Sequence, residues 1–241
     1  MKRKYFNVVF LCIVFLLCIL CSDKSIKTMK HILAQRKSGI TVVIDAGHGG
    51  FDPGKVGINK ALEKDINLSI ALKLKNYLEE NNIKVIMTRE DGKGLYQASD
   101  KDKKRVDMSK RVSIINSSNP NIAISIHQNS YSQESIKGAQ VFYHANSEEG
   151  KILAEILQER IKKTINDGNH RLAKSNSSYY LLRHTECPLV IVECGFLSNR
   201  KEANLLIDEQ YQDKMAQAIC LGVLEYFDTS ELYSGMAIQT N

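Results

Sequence analysis

Four residues of this chain are of the types needed to hydrolyse an amide with the help of a metal ion: His48, Glu63, His127 and Glu193. A metal polarises the carbonyl and lowers the pKa of a water from about 15.7 to about 7. Catalytic zinc commonly takes three protein ligands, with two histidines and a glutamate among the known sets, and keeps a fourth position open. A further carboxylate takes and returns protons. His48, Glu63 and His127 supply such a set for one Zn2+ per chain, and Glu193 supplies the remaining carboxylate. Glycines surround His48 in Asp45-Ala-Gly-His-Gly-Gly50, and they let backbone approach a metal closely. Taken singly, each residue has an ordinary reading. A histidine after a strand is more often a packing or surface residue, and an acid such as Glu63 at a helix start is favoured by the helix dipole alone. Glu193 is less ordinary: it follows the apolar run Leu189-Val-Ile-Val, where a buried carboxylate is costly unless paired or used. Spacing by itself leaves the metal site open, with His144 in reserve as a third ligand.

The elements that must position these residues follow from periodicity. Ile40–Asp45, Ile83–Thr88, Ile122–His127, Ala139–His144, Tyr179–Leu182 and Leu189–Glu193 read as strands. Leu62–Glu80 carries Ile66, Ile70, Leu74 and Leu78 at a spacing of four, a helical stripe. Met108–Asn116, Glu148–Ile165 (with Ile152, Ile156, Leu157 and Ile161 as its stripe), Lys201–Ile207 and Glu209–Tyr226 read as helices. Glu90–Arg105 and Asp167–Ser178 read as loops, and the tail 229–241 as frayed. Alternation of this kind predicts an α/β three-layer sandwich, a mostly parallel central sheet flanked by helices. Ligands bind such sheets beyond the carboxyl ends of the strands, where His48, His127 and Glu193 are expected to fall.

The chain has 241 residues and a formal net charge of +6. That length suits one sizeable domain, placed at 39–228. The charge is uneven, because residues 1–37 hold eight Lys or Arg and one acid, leaving −1 for the rest. A folded body without a basic excess gives no reason to expect nucleic-acid binding. Met-Lys-Arg-Lys followed by the apolar run Tyr5–Cys21 makes 1–22 a signal anchor or signal peptide, attaching the chain to a membrane or exporting it. Residues 23–38 are polar and read as a tether. Leu20 stands where a lipoprotein would carry a small residue before Cys21. Cys18-x-x-Cys21 has no surroundings that suit a redox or metal motif, and Cys187, Cys194 and Cys220 read as small apolar fillers.

Five segments occur in a fixed order: Asp45-Ala-Gly-His-Gly-Gly50, Glu63-Lys-Asp-Ile-Asn-Leu68, Thr88-Arg89, Ser125-Ile-His-Gln-Asn-Ser130 and Glu193-Cys-Gly-Phe-Leu-Ser-Asn199. Together they closely resemble the zinc-dependent N-acetylmuramoyl-L-alanine amidases of the amidase 3 type, over roughly Ile40 to Phe227. The resemblance implies that His48, Glu63 and His127 are zinc ligands and Glu193 the catalytic glutamate. It also implies the substrate, the amide between the lactyl group of N-acetylmuramic acid and L-alanine in peptidoglycan. Arg89, Arg111 and Arg183 match places where the family often has basic residues, which makes them candidates for a clamp on the anionic stem peptide or for structural ion pairs. Asn67 and Asn129 are candidates to orient the metal ligands.

The single-domain, membrane-tethered form is most like the germination-specific amidases of the spore cortex. Peptide removal there yields the precursor of muramic-δ-lactam, which implies an extracytoplasmic place in the spore envelope of a Gram-positive spore former. Residues 130–138 are too few for the plugging helix some relatives carry, so the site is expected to be open, with restraint from timed expression or a regulatory protein partner. Two competing readings are a zinc carboxypeptidase acting on the stem peptide and a non-catalytic wall-binding relative.

Overall fold

The computed structural model describes residues 39–238, with side chains described as far as residue 229. The expected anchor and tether, Cys12, Cys18, Cys21 and His31 lie outside the described residues. Among the described residues no helix is long and apolar enough to cross a membrane.

Six strands form one sheet: β1 (Thr41–Ala46), β2 (Lys84–Met87), β3 (Ile122–Asn129), β4 (Gln140–Tyr143), β5 (Lys174–Ser175) and β6 (Leu189–Phe196), in the order β2-β1-β3-β6-β4-β5. β1 runs parallel to β2 and β3, and β3 parallel to β6. β4 is antiparallel to β6 and parallel to β5. The mostly parallel α/β sheet is therefore as expected. The helices are α1 (Glu63–Glu80), α2 (Lys103–Ser117), α3 (Glu148–Ile165), α4 (Tyr180–His184), α5 (Arg200–Leu206) and α6 (Glu209–Ile238).

Side-chain alternation along the strands divides the core in two. Val42, Ile44 and Ala46 of β1, Ile122, Ile124 and Ile126 of β3, and Val190, Val192 and Cys194 of β6 share one face with Ile66, Ile70, Leu74 and Leu78 of α1 and with apolar residues of α3 and α6. Each fully buried Val, Ile or Leu side chain here contributes about 1.5–3 kcal/mol. Val43, Ala123, Leu189 and Ile191 point the other way, toward Ile115 of α2 and Leu181 and Leu182 of α4. The period of two then puts Asp45, Ser125, His127 and Glu193 on this second face. Among the described residues the short α4 and α2 cover it, so this side of the sheet keeps room for a cleft.

Several expected boundaries move. Tyr179–Leu182 is not a strand: Tyr180–His184 is a short helix, and the sheet edge is supplied instead by Lys174–Ser175 within the expected loop. Tyr179 N and Ser178 N both donate to Asn176 Oδ1, a side-chain turn that starts the helix. α2 begins at Lys103, five residues before the expected start, because Asp102 caps it by accepting from Arg105 N. On α3, Ile152 faces outward, 49% exposed, and the buried stripe is Leu153, Ala154, Leu157 and Ile161. α6 continues to Ile238, past the expected end at Tyr226. Cys194 and Cys220 are buried among apolar neighbours, as fillers should be.

Candidate active site

His48, Glu63 and His127 come together at the carboxyl edge of the sheet, beside the point where the chain order reverses between β1 and β3. One nitrogen or carboxylate oxygen from each lies within 4.8 Å of the others. Glu63 Oε1 stands between the two imidazoles, 3.2 Å from His48 Nε2 and 3.0 Å from His127 Nδ1. The rings meet edge to face at 5.0 Å. Glu63 is buried because it shares the inward stripe of α1 with Ile66, Asn67 and Ile70. Burial by itself would raise its pKa, but hydrogen bonds and charge from His127 and His48 outweigh this and hold the carboxyl well below its usual range.

The surroundings fix each donor. His48 Nδ1 lies 2.9 Å from Asp52 Oδ2. With a metal bound, a carboxylate there would keep the proton on Nδ1 and leave the Nε2 lone pair for the ion, the usual arrangement for a metal-binding histidine. His48 itself sits at φ 61°, an uncommon backbone state for a residue with a side chain. Glu63 Oε2 accepts from Lys55 N at 2.7 Å, and Oε1 accepts from Gln128 N at 3.1 Å and from Asn67 Nδ2 at 3.4 Å. Gly47 must be glycine, because a Cβ there would run into the His127 ring. Two neutral imidazoles and one carboxylate, each oriented by a further partner, fit a Zn2+ ion in donor chemistry and spacing.

Glu193 faces the same cleft from β6. It does not end its strand as expected: β6 continues to Phe196, and the β3–β6 register slips by one residue between His127/Glu193 and Asn129/Phe196. Such irregularities re-aim side chains beside active sites. Glu193 is 8% exposed, and its Oε2 has no hydrogen-bond partner. Burial, with the Glu63 carboxylate adding, pushes it up to about 7 against the pull of His127 and His48. A carboxyl poised near neutrality is suited to proton transfer.

The other candidates separate. Arg111, 1% exposed, pairs with Asp45 at 2.5 Å and Asp107 at 2.6 Å, and also donates to the carbonyls of Ala46 and His48. Arg89 is buried and donates to the carbonyls of Ala46, Gly47, Lys64 and Asp91. Both guanidinium groups are thus held by protein partners around the loop that carries His48. Arg183 is exposed on α4. Asn67 reaches Glu63 and the Gly47 carbonyl, whereas the Asn129 side chain accepts from Ser130 N and the Asn129 carbonyl from Leu197 N. His144 follows β4, which runs opposite to β6 with Tyr143 beside Val190, so it lies at the far edge of the sheet from the ligand cluster. Sequence reasoning missed Asp52, although its spacing of four from His48 was visible, and Asp45, Gln128 and Tyr179. Residues 130–138 contain no helix.

Comparison with known proteins agrees with this geometry. The family model described as N-acetylmuramoyl-L-alanine amidase matches residues 42–225. The germination-specific N-acetylmuramoyl-L-alanine amidase of Bacillus subtilis is 39% identical over 193 residues, 79% of this chain and 81% of the relative. The CwlD amidase from Clostridioides difficile, solved in complex with the GerS lipoprotein, superposes with a TM-score of 0.77 at 42% identity, covering 79% of this chain and 99% of that one. An N-acetylmuramoyl-L-alanine amidase from Clostridium difficile 630 gives 0.69 at 32% identity, covering 78% and 97%. The chain belongs to the amidase 3 family of N-acetylmuramoyl-L-alanine amidases.

Proposed function

We propose that this enzyme hydrolyses the amide joining N-acetylmuramic acid to L-alanine in peptidoglycan, with one Zn2+ held by His48, Glu63 and His127 and with Glu193 moving the protons. The observation that carries the reading is the convergence of the three donor atoms within 4.8 Å, opposite a buried carboxylate oxygen that has no partner. Zinc at that place supplies a Lewis acid for the scissile carbonyl and lowers the pKa of water. Asp52 keeps the proton on His48 Nδ1, so that Nε2 serves as a donor atom. Glu193 Oε2 accepts a proton from the attacking water and returns it to the departing alanyl nitrogen, which releases a lactyl carboxylic acid and a free amine.

The likeness to a germination-specific amidase supports action on the spore cortex, with peptide removal as the first step toward muramic-δ-lactam. The basic and apolar residues 1–22 support an extracytoplasmic place, exported or held at a membrane. The related CwlD amidase is seen with a lipoprotein, which favours a regulatory protein partner for this chain also. The test of the ligand set is metal analysis of His127→Ala, His48→Ala and Glu63→Ala. Each is expected to lose zinc, and full zinc occupancy in His127→Ala would reject the assignment.

A further inference from the structure

Two cavities open from the ligand cluster, and they differ in character. One, of about 140 Å³, is mostly apolar: Phe51, Met108, Tyr179, Tyr180, Leu181 and Ile191 bound it, with Asp45, Asp107 and Arg111 also in its lining. The other is polar and is bounded by Gly54, Lys55, Gln128, Asn129 and Ser130. His48, Asp52, Lys104, His127, Tyr179 and Glu193 line both, so an amide at the ligands would send one substituent into each branch. A dry cavity of about 150 Å³ accepts a benzene-sized group. The mostly apolar branch therefore suits an alkyl side chain. At the junction stands Lys104, exposed on the first turn of α2, whereas Arg89 and Arg111 are buried and occupied.

We propose that the apolar branch is the subsite for the peptide side of the scissile bond: it takes the methyl group of L-alanine, and Lys104 pairs with a carboxylate of the residue that follows. The polar branch then takes the hydroxyl- and amide-bearing muramyl side. This assignment rests on the amidase reading and adds an orientation to it. The walls support it physically. Tyr179 is fixed by its backbone bond to Asn176 Oδ1 and by its edge-to-face contact with Phe142 at 5.6 Å. Tyr180 is stacked on His184 at 4.0 Å. A rigid, mostly apolar wall rewards a buried methyl group more than a sugar hydroxyl.

The test uses soluble N-acetylmuramoyl peptides with the zinc-loaded enzyme: one with alanine then an acidic residue, one with that residue's carboxylate converted to carboxamide, and one with glycine in place of alanine. The wild type is expected to favour alanine over glycine about fourfold in kcat/KM, the worth of one buried methyl group. Met108→Trp, which fills the branch, is expected to erase that ratio. Lys104→Gln, an exposed change, is expected to abolish a preference for carboxylate over carboxamide of about two- to fivefold, through KM rather than kcat. Cleavage by both variants with wild-type selectivity overturns the subsite and leaves the amidase reading standing. A wild type that frees no peptide from any of the three overturns the amidase reading, and this proposal with it.

Discussion

Arg111 Nη2 donates to the carbonyl oxygen of His48 at 2.5 Å, and this bond holds the histidine in its left-handed backbone state. The same guanidinium is anchored by Asp45 and Asp107, so a buried ion network fixes the loop that presents a metal donor. Arg111→Lys keeps the charge but cannot fork to three partners. Zinc affinity is expected to fall about 10- to 100-fold with the fold retained. Arg111→Met leaves two buried carboxylates without their cation and is expected to destabilise by about 3–5 kcal/mol. Zinc titration and urea unfolding separate the two effects.

Gly47→Ala sets a Cβ against the His127 ring. Either the ring turns away or the loop shifts, at a cost of about 1–3 kcal/mol. Zinc retention during dialysis against a chelator is expected to drop sharply, with thermal stability only modestly lower. Retention equal to the wild type would show that the loop has slack that its hydrogen bonds do not suggest.

Asp45 predicts an acid limit to stability. Burial by itself would raise its pKa, but Arg111, Ser125, His127 and Thr88 more than offset this and lower it from 3.8 to about 2. A depressed carboxyl stabilises the fold above its unfolded pKa and loses that contribution as pH falls through the folded one. The expected loss is about 2–3 kcal/mol between about pH 4 and pH 2. Asp45→Asn should flatten that part of the stability profile measured by denaturant unfolding, while being less stable than the wild type at neutral pH.

Much of this was legible in the sequence. The spacing of Ile66, Ile70, Leu74 and Leu78 gave α1 its inward face, and that face carries Glu63 and Asn67 with it. The parallel sheet put His48 and His127 at one edge. What escaped were features set by distant partners. Arg111 meets Asp45 across 66 residues of chain, so no local pattern distinguishes its ion pair from a substrate clamp. β6 is buried on both faces, so its apolar run gives no alternation to mark where Glu193 sits or where the register slips. Residues 179–182 are too short and apolar for periodicity to separate strand from helix, and the Asn176 turn decided the matter.

Glu193→Gln keeps shape but cannot accept a proton. Zinc content is expected to be unchanged and kcat to fall about 10²- to 10⁴-fold. Burial pushes the carboxyl up to about 7, and a nearby cation pulls it down. The acid limb of kcat/KM in the zinc-loaded wild type should therefore lie below pH 7 and be missing from the variant. Near-normal turnover by Glu193→Gln would remove this residue from the mechanism.

The most direct measurement is mass spectrometry of muropeptides from purified peptidoglycan before and after digestion with the zinc-loaded enzyme. Whole stem peptides bearing a free amino-terminal L-alanine, together with peptide-free muramyl glycan, are the predicted products. Release of carboxy-terminal amino acids alone, with the stem still joined to muramic acid, would contradict the assignment and identify a carboxypeptidase instead.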